Sequence, residues 1–214
     1  MTSLPLEIPL EIILASASPR RQELLARLGL SFKIQAADID ESLLANESPI
    51  AMVMRLSEAK ARAICKSLAS LQTQEQPIMK RLILAADTTV VVDNTILAKP
   101  QDEAENFEFI KRLSGRKHEV YTGYSLIFND GANWLIRNSY LSNEVWFREL
   151  AEAEILWYVA TQEGLDKAGG YAIQGFGSSL VKAITGCYFN VMGLSLAHLC
   201  EEAKELGVRL VGSA

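Results

Sequence analysis

Residues 82–92 form an almost unbroken apolar run, and this run constrains the fold more than any other part of the sequence. It is rich in β-branched residues, which is typical of a strand buried on both faces of a sheet. Further strand-like and helix-like patterns alternate along the rest of the chain. Because strands that interleave with helices favour a sheet covered by helices, we predict an α/β fold.

Local signals give the other elements. Ser-Pro pairs at 18–19 and 48–49 each place a capping side chain before a proline, a combination that starts helices. An Asp-x-x-Glu capping box at 102–105 starts another helix, and Gly115 ends it. The predicted strands are 12–15, 32–34, 120–128 and 134–147, and the predicted helices are 19–28, 49–70, 103–114, 149–160 and 194–206.

The chain shows no internal repeat, low-complexity tract or linker. We therefore expect one domain over residues 1–214, with residues 1–10 as a loose extension and with room for two lobes around a cleft. Residues 71–80 are polar and predict a surface loop. Residues 164–177 are rich in glycine, which is typical either of a close backbone approach to a ligand or of a mobile surface loop.

Net charge, apolar runs and cysteine content indicate which kinds of binding partner to expect. The 214 residues carry a net charge of −5, whereas proteins that grip nucleic acid by its phosphates are usually basic, so we expect no nucleic-acid polymer as a partner. The sequence has no signal-peptide pattern and no apolar run of bilayer length. Its three cysteines fit no metal motif. These features predict a cytoplasmic protein without a membrane partner.

The segment S-A-S-P-R-R at residues 16–21 lies between a predicted strand and a predicted helix. The first turn of a helix exposes N–H groups and the positive end of its dipole, so Arg20 and Arg21 are unfavourable there for the helix itself. A bound anion would remove the conflict, and phosphate is the usual anion at such a place. The alternative is a pair of solvated arginines on an ordinary surface helix.

Two charged residues occur where apolar ones are expected. Asp87 lies inside the 82–92 run, and a carboxylate in a buried strand is costly unless it is paired or bound to a metal. Lys60 falls in the apolar stripe of the predicted 49–70 helix. Asp87 is either a functional carboxylate or one bonded to nearby backbone, and Lys60 either reaches solvent or points inward at an anion.

Three further residues are candidates for a site. Lys99 follows the turn after the Asp87 strand. Gln174 lies in the glycine-rich segment, and its amide could read a base edge. Glu41 follows a predicted strand, and it matters only if it faces Asp87, because two carboxylates together with phosphate oxygens make a typical Mg²⁺ or Mn²⁺ site.

These motifs occur in a characteristic order: S-x-S-P-R-R, D-E, E-x-K-A, A-D-T, K-P and D-K-A-G-x-Y-x-I-Q-G. Over residues 11–207 the sequence strongly resembles the Maf family of nucleoside triphosphate pyrophosphatases. The resemblance implies an α/β fold built on a long, strongly bent mixed sheet flanked by helices, with a deep nucleotide-binding cleft, as in inosine triphosphatase-like proteins. It also implies hydrolysis of a nucleoside triphosphate to the monophosphate and pyrophosphate with a divalent cation, Mg²⁺ or Mn²⁺. Family members are often homodimers, so the resemblance allows a homodimer.

The resemblance carries roles to individual residues. Asp87 matches the proposed proton acceptor of the family, and Glu41 and Asp87 are the implied metal ligands. The positions linked to substrate choice are Arg20, Thr88 and Gln174. The other implied pocket residues are Ser16, Arg21, Lys60 and Lys99.

One branch of the family prefers dTTP and UTP, and another prefers 7-methyl-GTP. The sequences P-R-R at 19–21, A-D-T at 86–88 and I-Q-G at 173–175 resemble the first branch. Gly170 and Ala172 stand where that branch often has alanine and glycine. The resemblance therefore predicts a dTTP/UTP pyrophosphatase, with modified pyrimidine nucleotides as further candidate substrates.

Other functions stay open at this stage. They are a 7-methyl-GTP-type pyrophosphatase, a non-catalytic nucleotide-binding regulator of cell division, and a phosphoryl-transfer enzyme such as a small kinase. A pure binding site gains little from an additional carboxylate beside phosphates, which argues against the regulator. The sequence also lacks the G-x-x-x-x-G-K-S/T cradle, which argues against the kinase.

Overall fold

The computed structural model describes residues 10–71 and 79–212. The expectations of a loose extension at 1–10 and a surface loop at 71–80 fall mainly on residues that lie outside this described part. Within it, seven strands form one mixed sheet, and helices pack against both faces. The predicted α/β class is confirmed.

The elements follow one another as an interleaved series. The strands are β1 (Leu10–Leu14), β2 (Lys33–Ile34), β3 (Lys80–Val92), β4 (Thr95–Leu97), β5 (Lys117–Asn129), β6 (Trp134–Phe147) and β7 (Val181–Thr185). The α-helices are α1 (Pro19–Ala26), α2 (Pro49–Leu71), α3 (Glu103–Leu113), α4 (Glu152–Ala160), α5 (Tyr188–Val191) and α6 (Leu196–Glu205). Two 3₁₀ turns, Ala168–Gly170 and Phe176–Ser179, lie in the glycine-rich segment. Over the described ranges, no helix combines the length and the apolar character that a bilayer crossing requires.

Strand β3 lies at the centre of the sheet. The strand order is β2-β1-β3-β5-β6-β7, and β4 pairs with β3 as well. β1 runs parallel to β2 and to β3, whereas all other pairs are antiparallel. β3 pairs with β5 from Arg81, opposite Asn129, to Val91, opposite Glu119. The apolar run that predicts a doubly buried strand is therefore the centre of the molecule.

Local structure departs from the sequence predictions at three places. Ser18 precedes α1 as expected, but its side chain makes no capping hydrogen bond, and its N–H donates to Ser16 Oγ (3.2 Å). Helix α4 begins at Glu152, later than predicted, because the Glu154 side chain accepts the N–H of Ala151 (2.8 Å) and so sets the helix start there. Strand β7 and helix α5 are not predicted, because each is too short to show a hydrophobic period.

Alternation along β3 divides its side chains between two core regions. The even-numbered residues of 82–86 face a large cluster with α1, α3, α4 and α6. Ile83 and Ala85 face a smaller cluster with α2. Because side chains in a strand alternate between faces, Asp87 continues the α2 side and Thr88 the opposite side. The strand therefore presents these two neighbours to different surroundings.

Candidate active site

Strand β3 has a neighbour on only one edge over residues 85–89 of the described structure. β5 pairs along one edge, while on the other edge the pairing with β1 ends at Leu84 and the pairing with β4 covers only Val90–Val92. A cavity of about 750 Å³ opens at this interruption, and Asp87 and Thr88 line it. The sheet topology thus exposes part of its central strand to a cavity.

All nine residues singled out from the sequence line this cavity. They are Ser16, Arg20, Arg21, Glu41, Lys60, Asp87, Thr88, Lys99 and Gln174. A second cavity, of about 510 Å³, lies between α3 and α4 and contains none of them. The cavity at β3 is therefore the candidate active site.

Arg21 connects three parts of the chain around the cavity. Its Nε donates to the Gly193 carbonyl (2.9 Å), its Nη2 to Thr88 Oγ1 (3.0 Å) and its Nη1 to Ser16 Oγ (3.3 Å). Burial lowers the pKa of Arg21, and the charge of Asp87 opposes that shift. An arginine keeps its proton at neutral pH in such a setting, so the cavity contains a fixed positive charge.

Ser16 is prepared to donate a hydrogen bond into the cavity. Its Oγ accepts hydrogen bonds from Arg21 Nη1 (3.3 Å) and from the N–H of Ser18 (3.2 Å). A serine hydroxyl has two acceptor positions and one proton. Because both acceptor positions are used by the protein, the hydroxyl proton is the part of Ser16 that is left for a ligand.

Arg20 and Lys99 supply positive charge that the described part of the protein does not pair. Neither side chain makes a hydrogen bond or an ion pair with a described residue, and Arg20 belongs to the first turn of α1, which contains no acidic residue. Burial and the charge of Arg21 lower the pKa of Arg20, and the charges of Asp166 and Glu163 oppose this shift. The unpaired cations and the helix N-terminus make the cavity suitable for a polyanion.

Lys60 holds the two candidate carboxylates together. Its Nζ lies 2.6 Å from Asp87 Oδ1 and 2.7 Å from Glu41 Oε1. The lysine is buried, so it points inward at the carboxylates and does not extend into solvent. The structure therefore gives Asp87 a charged partner, which explains how a carboxylate is tolerated within β3.

Gly123 allows α2 to approach the sheet beside Asp87. Gly123 lies opposite Asp87 in β5, and a Cβ built on it would be 2.3 Å from the Val53 carbonyl oxygen of α2. Any larger residue would push the helix away. Because Lys60 is on the same helix, this close approach keeps its ammonium within reach of Asp87.

Glu41 and Asp87 are a suitable pair of protein ligands for a hard divalent cation. Burial acts to raise the pKa of Glu41, but the hydrogen bond and charge of Lys60, together with the charges of Lys99 and Arg21, outweigh it and lower the pKa overall. Within the described residues, no group of three or more His, Cys, Asp or Glu side chains could hold a metal alone. A pair of converging carboxylates is nevertheless enough for Mg²⁺ when substrate phosphates and water complete its ligands.

The glycine-rich segment forms a packed wall of the cavity. The N–H of Gly169 donates to the Ala98 carbonyl (3.1 Å), which ties the segment to the loop that carries Lys99. A Cβ on Gly170 would be 2.2 Å from Asn106 Oδ1, so glycine is required for this contact with α3. The alternative of a mobile surface loop does not describe these buried glycines, although Gln174 itself is exposed at the cavity.

Two parts of the site were missed in the sequence. Glu163 accepts the N–H groups of Phe176 and Gly177 (both 2.9 Å) and so shapes the segment around Gln174. The chain from Asn190 to Gly193 holds Arg21 and borders the cavity. Neither has a recognisable pattern, because a single glutamate and a four-residue helix resemble ordinary surface sequence.

His118 supports the cavity wall from behind and should make stability depend on pH. Its Nε2 lies 2.8 Å from the hydroxyl of Tyr171, a residue that lines the cavity, and burial lowers the pKa of His118 to about 3. An unfolded histidine titrates with a pKa of about 6.5. Between these values the unfolded chain binds more protons, so stability falls as the pH drops through this window, by at most about 1.4 kcal/mol per pH unit.

The His118→Gln variant tests this dependence. We expect its free energy of unfolding to lie below that of the wild type at pH 7, and the gap to shrink by about 2 kcal/mol at pH 5, because only the wild type loses the His118 contribution. Urea unfolding at the two pH values measures the gap. A gap of constant size would contradict the prediction.

The chain is similar to known proteins over most of its length. The family profile described as "Maf-like protein" matches residues 11–206. The chain belongs to the Maf family. The match covers β1 through the last helix, and so it includes every residue of the candidate active site.

Curated members of the Maf family resemble the chain over nearly its whole length. Proteins named dTTP/UTP pyrophosphatase from Syntrophus aciditrophicus and Caldicellulosiruptor bescii are 43% and 42% identical, over 92% and 94% of this chain and 90% and 96% of the relatives. One of the same name from Clostridium beijerinckii is 45% identical, over 92% of this chain and 100% of the relative. Among solved structures, that of the Staphylococcus aureus Ham1 protein aligns with a TM-score of 0.37 and 14% identity, over 79% of this chain and 90% of that one.

Proposed function

We propose that this Maf protein is a nucleoside triphosphate pyrophosphatase that hydrolyses the α–β phosphoanhydride of dTTP and UTP to the monophosphate and pyrophosphate. The observation that carries the proposal is the position of Asp87, a buried carboxylate that lines a cavity together with unpaired cations and a helix N-terminus. The names of relatives at 42–45% identity support the same reaction and substrates.

The triphosphate is proposed to lie against the loop before α1. Arg20 and Lys99 neutralise its charge, and the Ser16 hydroxyl and the first N–H groups of α1 donate hydrogen bonds to phosphoryl oxygens. Arg21 adds the N–H groups that the protein itself leaves unused. These groups also stabilise the charge that develops on the departing pyrophosphate.

Asp87 is proposed to accept the proton of the water that attacks the α-phosphorus. General-base catalysis of this kind needs a carboxylate next to the reacting water and held in place. The ion pair with Lys60 and the rigid central strand β3 fix its position. As water attacks, the bond to the bridging oxygen breaks and pyrophosphate leaves.

We propose Glu41 and Asp87 as the protein ligands of a divalent cation, Mg²⁺ or Mn²⁺, which supplies neutralisation of phosphoryl charge when it is bound. Lys60 holds the same two carboxylates close together. Its ammonium remains beside them and adds positive charge to the site.

Base selection is proposed for the part of the cavity that Gln174 lines. The Gln174 amide offers a donor and an acceptor side by side, and the carbonyl and N3–H of uracil or thymine match that pair. Gln174 is exposed at the cavity, on the segment that Glu163 shapes. A 7-methyl-GTP-type pyrophosphatase remains the second candidate of the same reaction class.

The cell compartment is a further part of the proposal. Cys65, Cys187 and Cys200 are free thiols, and thiols of this kind are typical of a reducing compartment. We therefore propose that the enzyme works in the cytoplasm on free nucleotides.

A panel of triphosphates tests the proposed function. Purified protein is incubated with dTTP, UTP, 7-methyl-GTP and the other common nucleoside triphosphates, with Mg²⁺, with Mn²⁺ and with chelator, and the products are identified. We expect pyrophosphate and monophosphate, fastest from dTTP and UTP. Orthophosphate as the product would contradict the reaction, and a preference for 7-methyl-GTP would contradict the substrate.

A further inference from the structure

A chain of hydrogen bonds leads from the cavity into the core. Arg21 Nη2 donates to Thr88 Oγ1 (3.0 Å), Thr88 Oγ1 lies 3.0 Å from Thr122 Oγ1, and Thr122 Oγ1 donates to the Asn190 carbonyl (3.0 Å). Thr122 is fully buried in β5 and borders no part of the cavity. It therefore connects the candidate active site with α5 without meeting the substrate.

The direction of every proton in this chain is fixed by its two ends. A guanidinium can only donate, and a carbonyl oxygen can only accept. The one proton of Thr122 goes to Asn190, so Thr88 must donate its own proton to Thr122 and accept from Arg21. Thr88 thus has no proton left for a nucleotide. Any influence of Thr88 on substrate choice has to act through its methyl group, its remaining acceptor position, or its hold on Arg21.

The Asn190 end of this chain of hydrogen bonds is held by buried side-chain contacts. The Asn190 side chain accepts from the Tyr124 hydroxyl (2.5 Å) and donates to Asn143 Oδ1 (2.6 Å), and Asn190 is fully buried. Gly193 follows closely in the sequence, and its carbonyl accepts directly from Arg21 Nε (2.9 Å). A Cβ on Gly193 would lie 3.3 Å from both Arg21 Nε and Thr88 Oγ1, so glycine lets the backbone approach both groups. One anchored segment therefore holds Arg21 directly and also through Thr88 and Thr122.

We propose that Thr122 is a positioning residue of the enzyme, which orients the Arg21 guanidinium through Thr88 so that the N–H groups unused by the protein face the triphosphate. This inference rests on the proposed function. Its basis is the fixed polarity of the chain and the burial of Thr122. A group that touches no substrate but sets the orientation of a phosphate-binding arginine should affect turnover more than stability alone explains.

Matched substitutions at Thr122 test the proposal. Thr122→Val keeps the shape and removes the hydroxyl, whereas Thr122→Ser keeps the hydroxyl. We expect Thr122→Val to lower kcat/KM for dTTP about tenfold, as expected for a lost buried hydrogen bond, and Thr122→Ser to stay within about threefold of wild type. Ser57→Ala is the control, since it removes another buried hydroxyl, which donates to the Met54 carbonyl (2.9 Å) away from the chain of bonds. A Thr122→Val enzyme with wild-type kcat/KM would overturn the proposal.

A double-mutant cycle shows whether Thr122 acts through Thr88. If it does, the Thr88→Val/Thr122→Val double variant loses no more than about twofold beyond Thr88→Val alone, because the path is already broken. Losses that multiply would overturn the proposal, because Thr122 would then act independently of Thr88.

Hydrogen exchange of the Arg21 side chain gives a readout that does not depend on activity. The Nη–H signals of Arg21, which include the Nη2–H that donates to Thr88, are assigned by their absence from the spectrum of Arg21→Lys. We expect the Nη2–H to exchange about tenfold faster in Thr122→Val than in wild type, and to be unchanged in Thr122→Ser and Ser57→Ala. Unchanged exchange in Thr122→Val would overturn the proposal even if activity falls. A wild-type protein that releases no pyrophosphate would refute the proposed function, while the exchange data would still test the positioning of Arg21.

Discussion

The Asp87→Asn variant is expected to release pyrophosphate from dTTP and UTP at least about a thousandfold more slowly than the wild type. Asparagine fills nearly the same volume, but it cannot accept the proton of the attacking water, and loss of a general base typically costs about 10²–10⁴-fold. It would also remove one of the two proposed metal ligands. The effect should therefore fall mainly on kcat.

The Asp87→Asn variant should keep the fold and the nucleotide affinity of the wild type. Lys60 keeps its ion pair with Glu41 (2.7 Å) when Asp87 becomes neutral, so no buried cation is left alone. We expect the unfolding midpoint to stay within about 5 °C of wild type. Because the variant removes a negative charge near the triphosphate, KM should stay constant or fall in excess metal.

Asp93→Asn is the matched control. Asp93 follows β3, lies on the surface and pairs with Arg116 (2.5 Å). Its positive φ of 49° is a conformation that asparagine adopts readily. The same chemical change there should leave turnover unchanged. A kcat for Asp87→Asn within about tenfold of wild type, measured by pyrophosphate release, would remove Asp87 from the proposed role.

The centre of the fold could be predicted because its sequence signals are long. The 82–92 run predicts β3 correctly, and the Ser-Pro pair at 48–49 predicts a helix that the structure places at Pro49–Leu71. Both signals arise from many residues that agree with one another. β7 and α5 are too short for many residues to give the same signal. Pairing with β6 holds β7, and the hydrogen bond from the Asn190 side chain to Asn143 helps to hold α5.

The candidate site was accessible to sequence reasoning where residues break a local rule. Asp87 in an apolar strand and Lys60 on an apolar stripe are unfavourable separately, and the structure places them 2.6 Å apart. Each of these charged residues stands where the hydrophobic period predicts an apolar one, so each can be recognised from the sequence, and their opposite charges predict that they pair. The support that Thr122 and Gly193 give to Arg21 cannot be inferred from the sequence. A buried threonine and a glycine after a short helix break no local rule.

The Lys60→Met variant should lose at least about a hundredfold in kcat/KM, because it removes a fixed positive charge from the site and frees Asp87 and Glu41 to move apart. It should also destabilise the protein by about 3–5 kcal/mol at pH 7, the usual effect of breaking a buried ion pair by removing one partner. Lys66→Met, an exposed position on the same helix, is the control and should change neither quantity.

The pH dependence of this destabilisation distinguishes a charge effect from a packing effect. Without the Lys60 ammonium, burial and mutual repulsion make the fully charged form of the remaining carboxylate pair costly, so the folded variant takes up a proton more readily than the unfolded chain. A carboxyl group with a raised pKa destabilises the fold above that pKa, and the penalty disappears as the pH falls through it. The stability gap between Lys60→Met and wild type should therefore narrow from pH 7 to pH 5 in urea unfolding. A gap that stays constant would mean that the lost stability does not come from the charge left on the two carboxylates, and the charge-centred account of this site would then be wrong.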